Sequence, residues 1–396
     1  MGTNELSDVF DNIITREGTS SLKYDARLQT FGDADIQPMW VADMDFPTPE
    51  AVIQALRLRA EHPILGYTMA PESLYQALIN WMREHHAWEV KREWIVLAPG
   101  VVPSINLAVM ALTKPGEGII IQPPVYFPFF SAANNTDRTL IENPLVLKKD
   151  ALGNPQYEMD FEHLEICAKQ AKMLLLCSPH NPVGRVWKKQ ELVKLLGIAK
   201  QHNLVIFADE IHADLIYSEA KHHSLGAFSD ASHRIITAVS PSKTFNIAGL
   251  GLSALIMPDE SARRLLQSHL NQIGVSVTNP FSLVAFEAAY RGGGAWLNHL
   301  ISYLETTRNE AVKYIAKNIP QIAVIPTQGT FLLWLDCRKL NLDDLALQQL
   351  FIQKAKLGLS PGILFGQEGK GFMRMNIGTP RANVMAALKG LRHALS

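Results

Sequence analysis

Short apolar runs alternate with amphipathic stretches through the middle of this chain. The runs comprise residues 118–122, 173–177, 204–208, 235–239 and 252–257. Runs of this length that are rich in Ile, Leu and Val are typical of buried strands, whereas residues 188–202 have helical spacing. Strands that alternate with helices predict an α/β domain whose sheet is mostly parallel.

The flanking segments predict further elements. Thr48, Pro49 and Glu50 supply a cap, a proline at the first position and an acid in the first turn, so they predict the start of a helix. The other predicted elements are helices at 105–112, 282–290 and 296–317 and strands at 93–97, 331–335 and 372–377.

Side chains that could bind a ligand or take part in catalysis follow four of the apolar runs. They are Tyr126, Asn181, Asp209 and Lys243. Because ligands of open α/β sheets bind outside the carboxyl ends of the strands, we expect these side chains to lie at one edge of the sheet. Tyr126 could stack on a planar ring there, and Asp209 could pair with a ring nitrogen. Each side chain taken alone also suits a structural role.

The turn that carries Lys243 has the composition of a cofactor site. Ser240 and Ser242 precede the lysine, separated by a proline. A buried lysine that is kept neutral can form a Schiff base with an aldehyde, and two hydroxyl groups suit a phosphate. Together they predict pyridoxal 5′-phosphate (PLP), whose ring acts as an electron sink. The alternative is an ordinary surface turn with a solvated lysine.

Two other positions suggest anion binding. Gly100 and Pro103 precede the helix at 105–112, so free backbone N–H groups there predict a phosphate site, although a plain strand-to-helix turn explains them equally well. Arg374 lies within an apolar strand and therefore needs an anion. A substrate carboxylate would meet this need, and so would an internal Asp or Glu.

Metal sites are weakly indicated. Asp43 and Asp45 lie close together in the extended segment 39–46, but such pairs more often cap turns or helices than bind a cation. The pairs at 85–86 and 222–223 supply two histidines each, without further ligands at zinc spacing. We therefore predict no metal.

Composition narrows the class of protein. The chain has 396 residues, 47% of them hydrophobic, with a net charge of -1 and no basic block, so nucleic acid is not an expected partner. The three cysteines form no CxxC pair, which favours free thiols in a reducing compartment. Residues 1–6 lack the basic and apolar regions of a signal peptide, and prolines interrupt the apolar region 119–133, so we expect no membrane span and a cytoplasmic location.

Four longer motifs carry a family resemblance: MWVADMDFPTP, SPHNPVGRVW, ADEIHADLIY and SPSKTFNIAGL. With them the whole chain resembles the fold-type I PLP enzymes of the aspartate aminotransferase superfamily and, within it, the MalY/PatB group of cystathionine β-lyases. The resemblance implies an α/β fold, with a large domain built on a mostly parallel seven-stranded sheet and a smaller α+β domain. It implies an N-terminal segment (1–50) that packs with the small domain, a large PLP-binding domain (51–288) and a small C-terminal domain (289–396).

The resemblance also implies roles for individual residues. Lys243 would hold PLP as a Schiff base, Asp209 would pair with the pyridine nitrogen, Asn181 would pair with the ring oxygen, and Tyr126 would stack on the ring. The implied phosphate ligands are the amides of Val101 and Val102, the hydroxyls of Ser240 and Ser242, and Tyr67 of a neighbouring subunit, which implies a homodimer. Arg374 would bind the substrate carboxylate, helped by backbone near Val41 and Ala42.

Two positions depart from the wider superfamily in the same way as the β-lyase group. Gly251 stands where an arginine usually contacts the phosphate, eight residues after the lysine, and His212 stands where a tyrosine usually follows the aspartate. His212 joins the predicted cofactor site on this basis. The glycine leaves the phosphate charge less well neutralised.

The implied activity is carbon–sulfur β-elimination from L-cystathionine or a related cysteine S-conjugate. Lys243 would take the Cα proton, and the products would be a thiol such as homocysteine, pyruvate and ammonia. Aminotransfer on the same scaffold is the first alternative, because the residues that install PLP serve both reactions. The second alternative is a PLP-fold protein that binds a regulatory partner.

Overall fold

A computed structural model describes residues 9–228 and 234–396 of the chain. Residues 1–6, on which the prediction about a signal peptide rests, lie outside the described residues. The strands in chain order are β1 (Gln37–Pro38), β2 (Ile95–Ala98), β3 (Gly118–Ile121), β4 (Thr139–Glu142), β5 (Val146–Lys149), β6 (Pro155–Glu158), β7 (Ala171–Cys177), β8 (Val205–Asp209), β9 (Ile235–Val239), β10 (Ser253–Ile256), β11 (Ala323–Val324), β12 (Leu332–Asp336), β13 (Leu357–Gly358), β14 (Ser360–Pro361) and β15 (Phe372–Asn376).

The α-helices enclose these strands. They are α1 (Leu22–Asp25), α2 (Arg27–Phe31), α3 (Glu50–Glu61), α4 (Glu72–His86), α5 (Val101–Leu112), α6 (Pro128–Asn134), α7 (Phe161–Ala168), α8 (Lys189–Gln201), α9 (Pro241–Thr244), α10 (Glu260–Gln272), α11 (Pro280–Gly292), α12 (Gly294–Asn318), α13 (Asp344–Gln349) and α14 (Arg381–Ala394).

A seven-stranded sheet forms the centre of the molecule, in the spatial order β2-β10-β9-β8-β7-β3-β4. Only β10 runs antiparallel to its neighbours, so the predicted mostly parallel seven-stranded sheet is confirmed. The strands are continuously apolar because both faces are covered. In β7, Leu174 and Leu176 enter one hydrophobic cluster, while Met173 and Leu175 enter the cluster on the opposite face.

The register of the central strands aligns their carboxyl ends. Cys177 of β7 pairs with Asp209 of β8, and Asp209 pairs with Ala238 of β9. The polar segments that leave these strands therefore start side by side. This alignment brings Asn181 and Lys243 toward the same edge of the sheet as Asp209.

A smaller four-stranded sheet, in the order β11-β12-β15-β14, lies in the C-terminal part of the chain. Most of its apolar residues share one hydrophobic cluster with Phe10 and Met44 of the N-terminal segment and with Leu388 of α14, whereas Trp334 and Phe372 enter a second cluster. The domain boundaries after residues 50 and 288 stay predictions.

Some local expectations were wrong for identifiable reasons. Strand β4 was not predicted because it lies at the sheet edge, where Thr139 and Glu142 are exposed and the apolar run is broken. Helix α5 begins at Val101, four residues earlier than its apolar pattern suggested. Thr48 does not cap α3, since its hydroxyl group donates to the backbone oxygen of Asn246 at 3.2 Å.

Asp43 and Asp45 belong to a network of charges that anchors the N-terminal segment. Arg16 bridges both carboxylates, at 2.7 Å to Asp43 and 2.8 Å to Asp45. The fully buried Lys23 contacts Asp45 at 3.0 Å, and the Tyr24 hydroxyl donates to the same oxygen. Burial alone would raise the pKa of Asp45, but Lys23 and Arg16 outweigh it and hold this pKa below its ordinary value.

Removing the Lys23 charge should destabilise the protein strongly. Lys23→Met removes one of the two cations that hold the buried Asp45 carboxylate and leaves only Arg16 beside it, and breaking a buried ion pair costs about 3 kcal/mol. We expect a clearly lower urea midpoint.

The matched control is Lys356→Met, which removes the same charge from a surface pair with Asp33. The control should leave the urea midpoint nearly unchanged. Equal midpoints for the two variants would contradict the assigned role of Lys23.

Candidate active site

The aligned strand ends open into a cavity of about 220 Å³. It lies at the carboxyl edge of the large sheet, where ligands of such folds bind. The predicted residues that line it are Ala42, Val101, Val102, Tyr126, Asn181, Asp209, His212, Ser240, Ser242 and Lys243. Of the remaining predicted residues, Arg374 contacts this set through Asn181, whereas Val41 and Tyr67 do not line the cavity.

Lys243 projects from α9, a short helix that follows β9 directly. The Ser240 hydroxyl caps α9 by accepting from the Ser242 amide at 3.2 Å, and it donates to the backbone oxygen of Leu252. The Lys243 amine donates to the backbone oxygen of Ala42 at 2.6 Å. Burial lowers the pKa of Lys243 to about 8, although the Asp43 carboxylate opposes this shift. A larger fraction of the amine is therefore neutral near pH 7 than in an exposed lysine.

Asp209 ends β8 and is fully enclosed. Burial raises its pKa to about 7, while a hydrogen bond from the Ile211 amide and the charge of Lys243 oppose the rise. The ionised form of a carboxyl group with so high a pKa is stabilised by a nearby positive charge or proton donor. That property suits the ring nitrogen of a pyridine.

Arg374 and Asn181 form one unit at the side of the cavity. The guanidinium donates through Nη1 to Asn181 Oδ1 at 3.1 Å, which leaves the amide nitrogen of Asn181 as a donor. Its Nη2 donates to the backbone oxygen of Trp40 at 2.8 Å and to Ser360 Oγ at 3.2 Å.

No carboxylate pairs with Arg374 among residues 9–228 and 234–396, and its buried Nε has no hydrogen-bond acceptor there. The internal Asp or Glu partner considered above is thus not found in that part of the chain. Burial lowers the pKa of Arg374 to about 10, which is the electrostatic signature of a cation that lacks its anion.

His212 and Tyr126 complete the walls. The His212 ring is buried, its Nδ1 has no partner among the described residues, and burial together with the charges of Lys243 and Arg374 lowers its pKa to about 3. It is therefore a neutral imidazole at physiological pH. Tyr126 is partly buried on the cavity wall, and burial raises its pKa.

The start of α5 supplies backbone donors. Gly100, at φ 112°, turns the chain into the helix in a conformation that favours glycine. The first N–H groups of a helix have no acceptor inside it, so those of Val101 and Val102 are available to an anion. Ser242 stands opposite on α9, whereas the Ser240 hydrogen points to Leu252 and would have to rotate to reach a phosphate.

Several contributors were not found from the sequence. Cys177 lines the cavity, and Ser360 and the Trp40 carbonyl hold Arg374 in place. Cys177 follows from the strand register, because it pairs with Asp209. Ser360 lies in a strand of two residues that pairs with β15, and no sequence period reveals so short a strand.

These residues fit PLP. The cavity combines a buried amine, a carboxyl group at the end of a central strand, an amide donor, an aromatic wall and backbone donors at a helix start. Arg374 Nε and His212 Nδ1 are buried polar atoms that find no partner in the described part of the chain, and such atoms call for a ligand. Gly251 also lines the cavity, so this chain offers no side-chain cation at that position.

Asp209 should make the ligand-free protein less stable as the pH rises. Its folded-state pKa of about 7 lies above the ordinary 3.8, so the folded form retains a proton that the unfolded form releases between these values. Stability conferred by this proton is lost as the pH rises through the window. Asp209→Asn removes the effect. The melting temperature of this variant minus that of the wild type should therefore increase by several degrees from about pH 4 to pH 7. A difference that stays constant over this range would contradict the raised pKa.

Comparisons with known proteins agree with this geometry. Residues 39–391 match the family model described as aminotransferase class I and II. The chain is 40% identical to cystathionine beta-lyase PatB of Bacillus subtilis, over 98% of this chain and 100% of PatB. It is 33% identical to protein MalY of Escherichia coli, over 98% of both chains.

A solved structure shows the same fold. Cystalysin from Treponema denticola, which contains a PLP cofactor, superimposes with a TM-score of 0.93 at 35% identity, covering 98% of both chains. The predicted fold class and the predicted family are thereby confirmed. The chain belongs to the aminotransferase class I and II family, in the company of PatB and MalY.

Proposed function

We propose that this protein is a PLP-dependent carbon–sulfur β-lyase that acts on L-cystathionine or a related cysteine S-conjugate. The observation that carries the proposal is the cavity in which partly buried Lys243 and buried Asp209 lie beside an arginine without a carboxylate partner in the described chain. Relatives that are named cystathionine beta-lyase, PatB among them, favour elimination over other PLP chemistry. PLP binding is supported by the fit of the residues and by the cofactor in cystalysin.

The residues divide the work of the reaction. PLP supplies, when bound, an electron-withdrawing ring that stabilises negative charge at the substrate Cα. Arg374, whose Nε has no acceptor among the described residues, binds the substrate carboxylate, and Asn181 and Asp209 orient the ring. Lys243, whose pKa of about 8 leaves part of it neutral, takes the Cα proton.

The bond changes balance without an added oxidant or reductant. The electron pair of the Cα–H bond becomes a Cα–Cβ double bond, and the sulfur leaves with the Cβ–S pair and gains a proton. The resulting enamine takes up water to give pyruvate and ammonia.

Aminotransfer is the second candidate, and the family description favours it. The same Lys243, Asp209 and Arg374 would serve both reactions. The two differ in their demand for a co-substrate, since aminotransfer stops after one turnover unless a 2-oxo acid accepts the amino group. Elimination regenerates the enzyme without one.

The purified protein should make pyruvate from L-cystathionine over many turnovers with no added oxo acid. Lys243→Ala should reduce the rate by at least about a thousandfold, because the proton acceptor is lost. Pyruvate is followed by coupled lactate dehydrogenase. PLP-loaded protein that makes none, or that stops after one equivalent, would contradict the lyase assignment.

Arg374→Lys tests carboxylate binding separately from proton transfer. A lysine keeps the charge but loses the free Nε donor and the hydrogen bonds that hold the guanidinium in place, so we expect KM to rise by about tenfold or more with a smaller change in kcat. The alternative outcome, an unchanged KM, would remove Arg374 from the substrate site.

We also propose a homodimer in which Tyr67 completes the partner's phosphate site. Tyr67 is fully exposed and does not line the cavity of its own subunit. Helix α3 and the irregular segment 63–70 that follows it present large apolar side chains to solvent. These are Leu58, Ile64, Leu65 and Met69, each at least 60% exposed. A patch of this kind is typical of an interface, and a second copy is the occupant that the predicted role of Tyr67 requires.

Mixed dimers test this arrangement. Lys243→Ala and Tyr67→Ala damage different contributions to one site, so a mixed dimer should regain one intact site and exceed the summed activity of its parents. Lys243→Ala mixed with Arg374→Ala is the matched control, because both residues come from the same subunit and no intact site forms. Tyr67→Ala alone should weaken PLP binding by about tenfold for a lost hydrogen bond to a charged group. Equal gains in both mixtures would contradict a shared site.

The cellular location is proposed from the thiols. Cys167, Cys177 and Cys337 are all buried and free. Unpaired cysteines are typical of a reducing compartment, so we place the protein in the cytoplasm. Within the described ranges, no helix is long and apolar enough to cross a membrane.

A further inference from the structure

A buried polar cluster lies behind the turn that carries Lys243, outside the cavity. We call it the Asp214 cluster, and it consists of Trp81, His86, Asp214 and Thr244. Asp214 stands at its centre, and only 9% of its side chain is exposed. None of these four side chains has a part in the reaction described above.

Three donors converge on the Asp214 carboxylate. Oδ1 accepts from Trp81 Nε1 at 3.0 Å and from His86 Nε2 at 2.8 Å. Oδ2 accepts from the Thr244 hydroxyl at 2.8 Å. Both oxygens are thus satisfied, which is the condition for keeping a carboxylate ionised inside a protein.

The charge state of the cluster follows from these contacts. Burial would raise the pKa of Asp214, but His86, Trp81 and Thr244 outweigh it and hold the pKa below its ordinary value. Burial would lower the pKa of His86, but Asp214 and Glu210 raise it. Both shifts favour the ion pair in which His86 carries the proton and Asp214 is ionised.

A second carboxylate–histidine pair, Glu210 and His222, lies next to the Asp214–His86 pair. Glu210, the residue after Asp209, accepts from the Leu225 amide at 2.8 Å and contacts His222 Nε2 at 3.0 Å. The His222 ring meets the His86 ring edge to face, with centroids 5.7 Å apart. The carboxylates of the segment 209–214 thus divide their tasks, since Asp209 faces the cavity while Glu210 and Asp214 face the histidines.

Thr244 connects this cluster to the amine. It is the residue after Lys243 and the last residue of α9. The next residue, Phe245, is fully buried and meets the Trp81 ring at 5.5 Å. A Cβ on Gly293 would collide with the Phe245 ring, so the wall behind the turn is tightly filled. A displacement of Thr244 cannot be absorbed there without moving Lys243.

We propose that Asp214 is a positioning residue for Lys243. Its carboxylate, held by His86 and Trp81, anchors the Thr244 hydroxyl and thereby fixes where the lysine amine points in the cavity. The proposal rests on the proposed function only in taking PLP as the ligand of that amine. It does not depend on which reaction follows.

The test compares two isosteric substitutions. Thr244→Val removes the hydroxyl that Asp214 binds, whereas Thr237→Val removes a fully buried hydroxyl that has no hydrogen-bond partner among the described residues. Thr237 lies on β9, the strand that leads to the lysine. The PLP dissociation constant and the pH midpoint of the visible absorbance are measured on cofactor-loaded protein, and the melting temperature is measured with and without PLP.

We expect Thr244→Val to raise the PLP dissociation constant by about tenfold, the size of one hydrogen bond to a charged group, and to move the absorbance midpoint. Thr237→Val should leave both within about twofold of the wild type. His86→Gln, which keeps a donor but removes the charge, should give a smaller change in the same direction as Thr244→Val.

A merely structural cluster would behave differently. Thr244→Val would then lower the melting temperature equally with and without PLP while leaving the dissociation constant and the midpoint unchanged, and this result would overturn the proposal. Failure of the lyase function is a separate result, since it would show as PLP-loaded wild-type protein that makes no pyruvate. The binding measurements remain decisive in that case.

Discussion

The site depends on keeping an amine and a carboxyl group out of water at the ends of neighbouring strands. Burial pushes the pKa of Lys243 down to about 8 and that of Asp209 up to about 7, so each group is held near the point where it exchanges a proton. Neither value would arise on the surface. A fold that covers both faces of a parallel sheet supplies this burial, and the strand register decides which side chains share it.

Parts of the chain that are remote in sequence hold the amine in place. The Ala42 carbonyl accepts from Lys243, and Asn246 binds the backbone of Met44 and Phe46, so the N-terminal segment is attached directly to the lysine turn. That segment is fixed in turn by buried Lys23. The cation on the opposite side, Arg374, is left without a carboxylate in the described chain, and this deficit is what a substrate carboxylate would fill.

The sequence predicted the centre of this arrangement better than its supports. The apolar run 235–239 predicted strand β9, and Lys243 lies in the turn that follows it. Asp209 and Asn181 were predicted in the same way, because each follows an apolar run. The contacts that orient them could not be predicted, because they join segments far apart: Ser360 reaches Arg374 through a strand of two residues, and Asp214 receives His86 across 128 positions. Local periodicity carries no information on such pairs. Edge strand β4 was missed because its half-exposed pattern resembles a loop.

The proposed role of Lys243 as the base requires a lowered pKa, and competitive chemical labelling measures this pKa directly. The ligand-free protein is reacted with a trace of an amine reagent over a range of pH, and the labelled peptides are quantified by mass spectrometry. Lys243 should react with a midpoint near pH 8, whereas an ordinary exposed lysine has a pKa of 10.5. A Lys243 midpoint equal to that of the exposed lysines would show that burial does not tune the amine, and the proposed role of Lys243 as the base would fail.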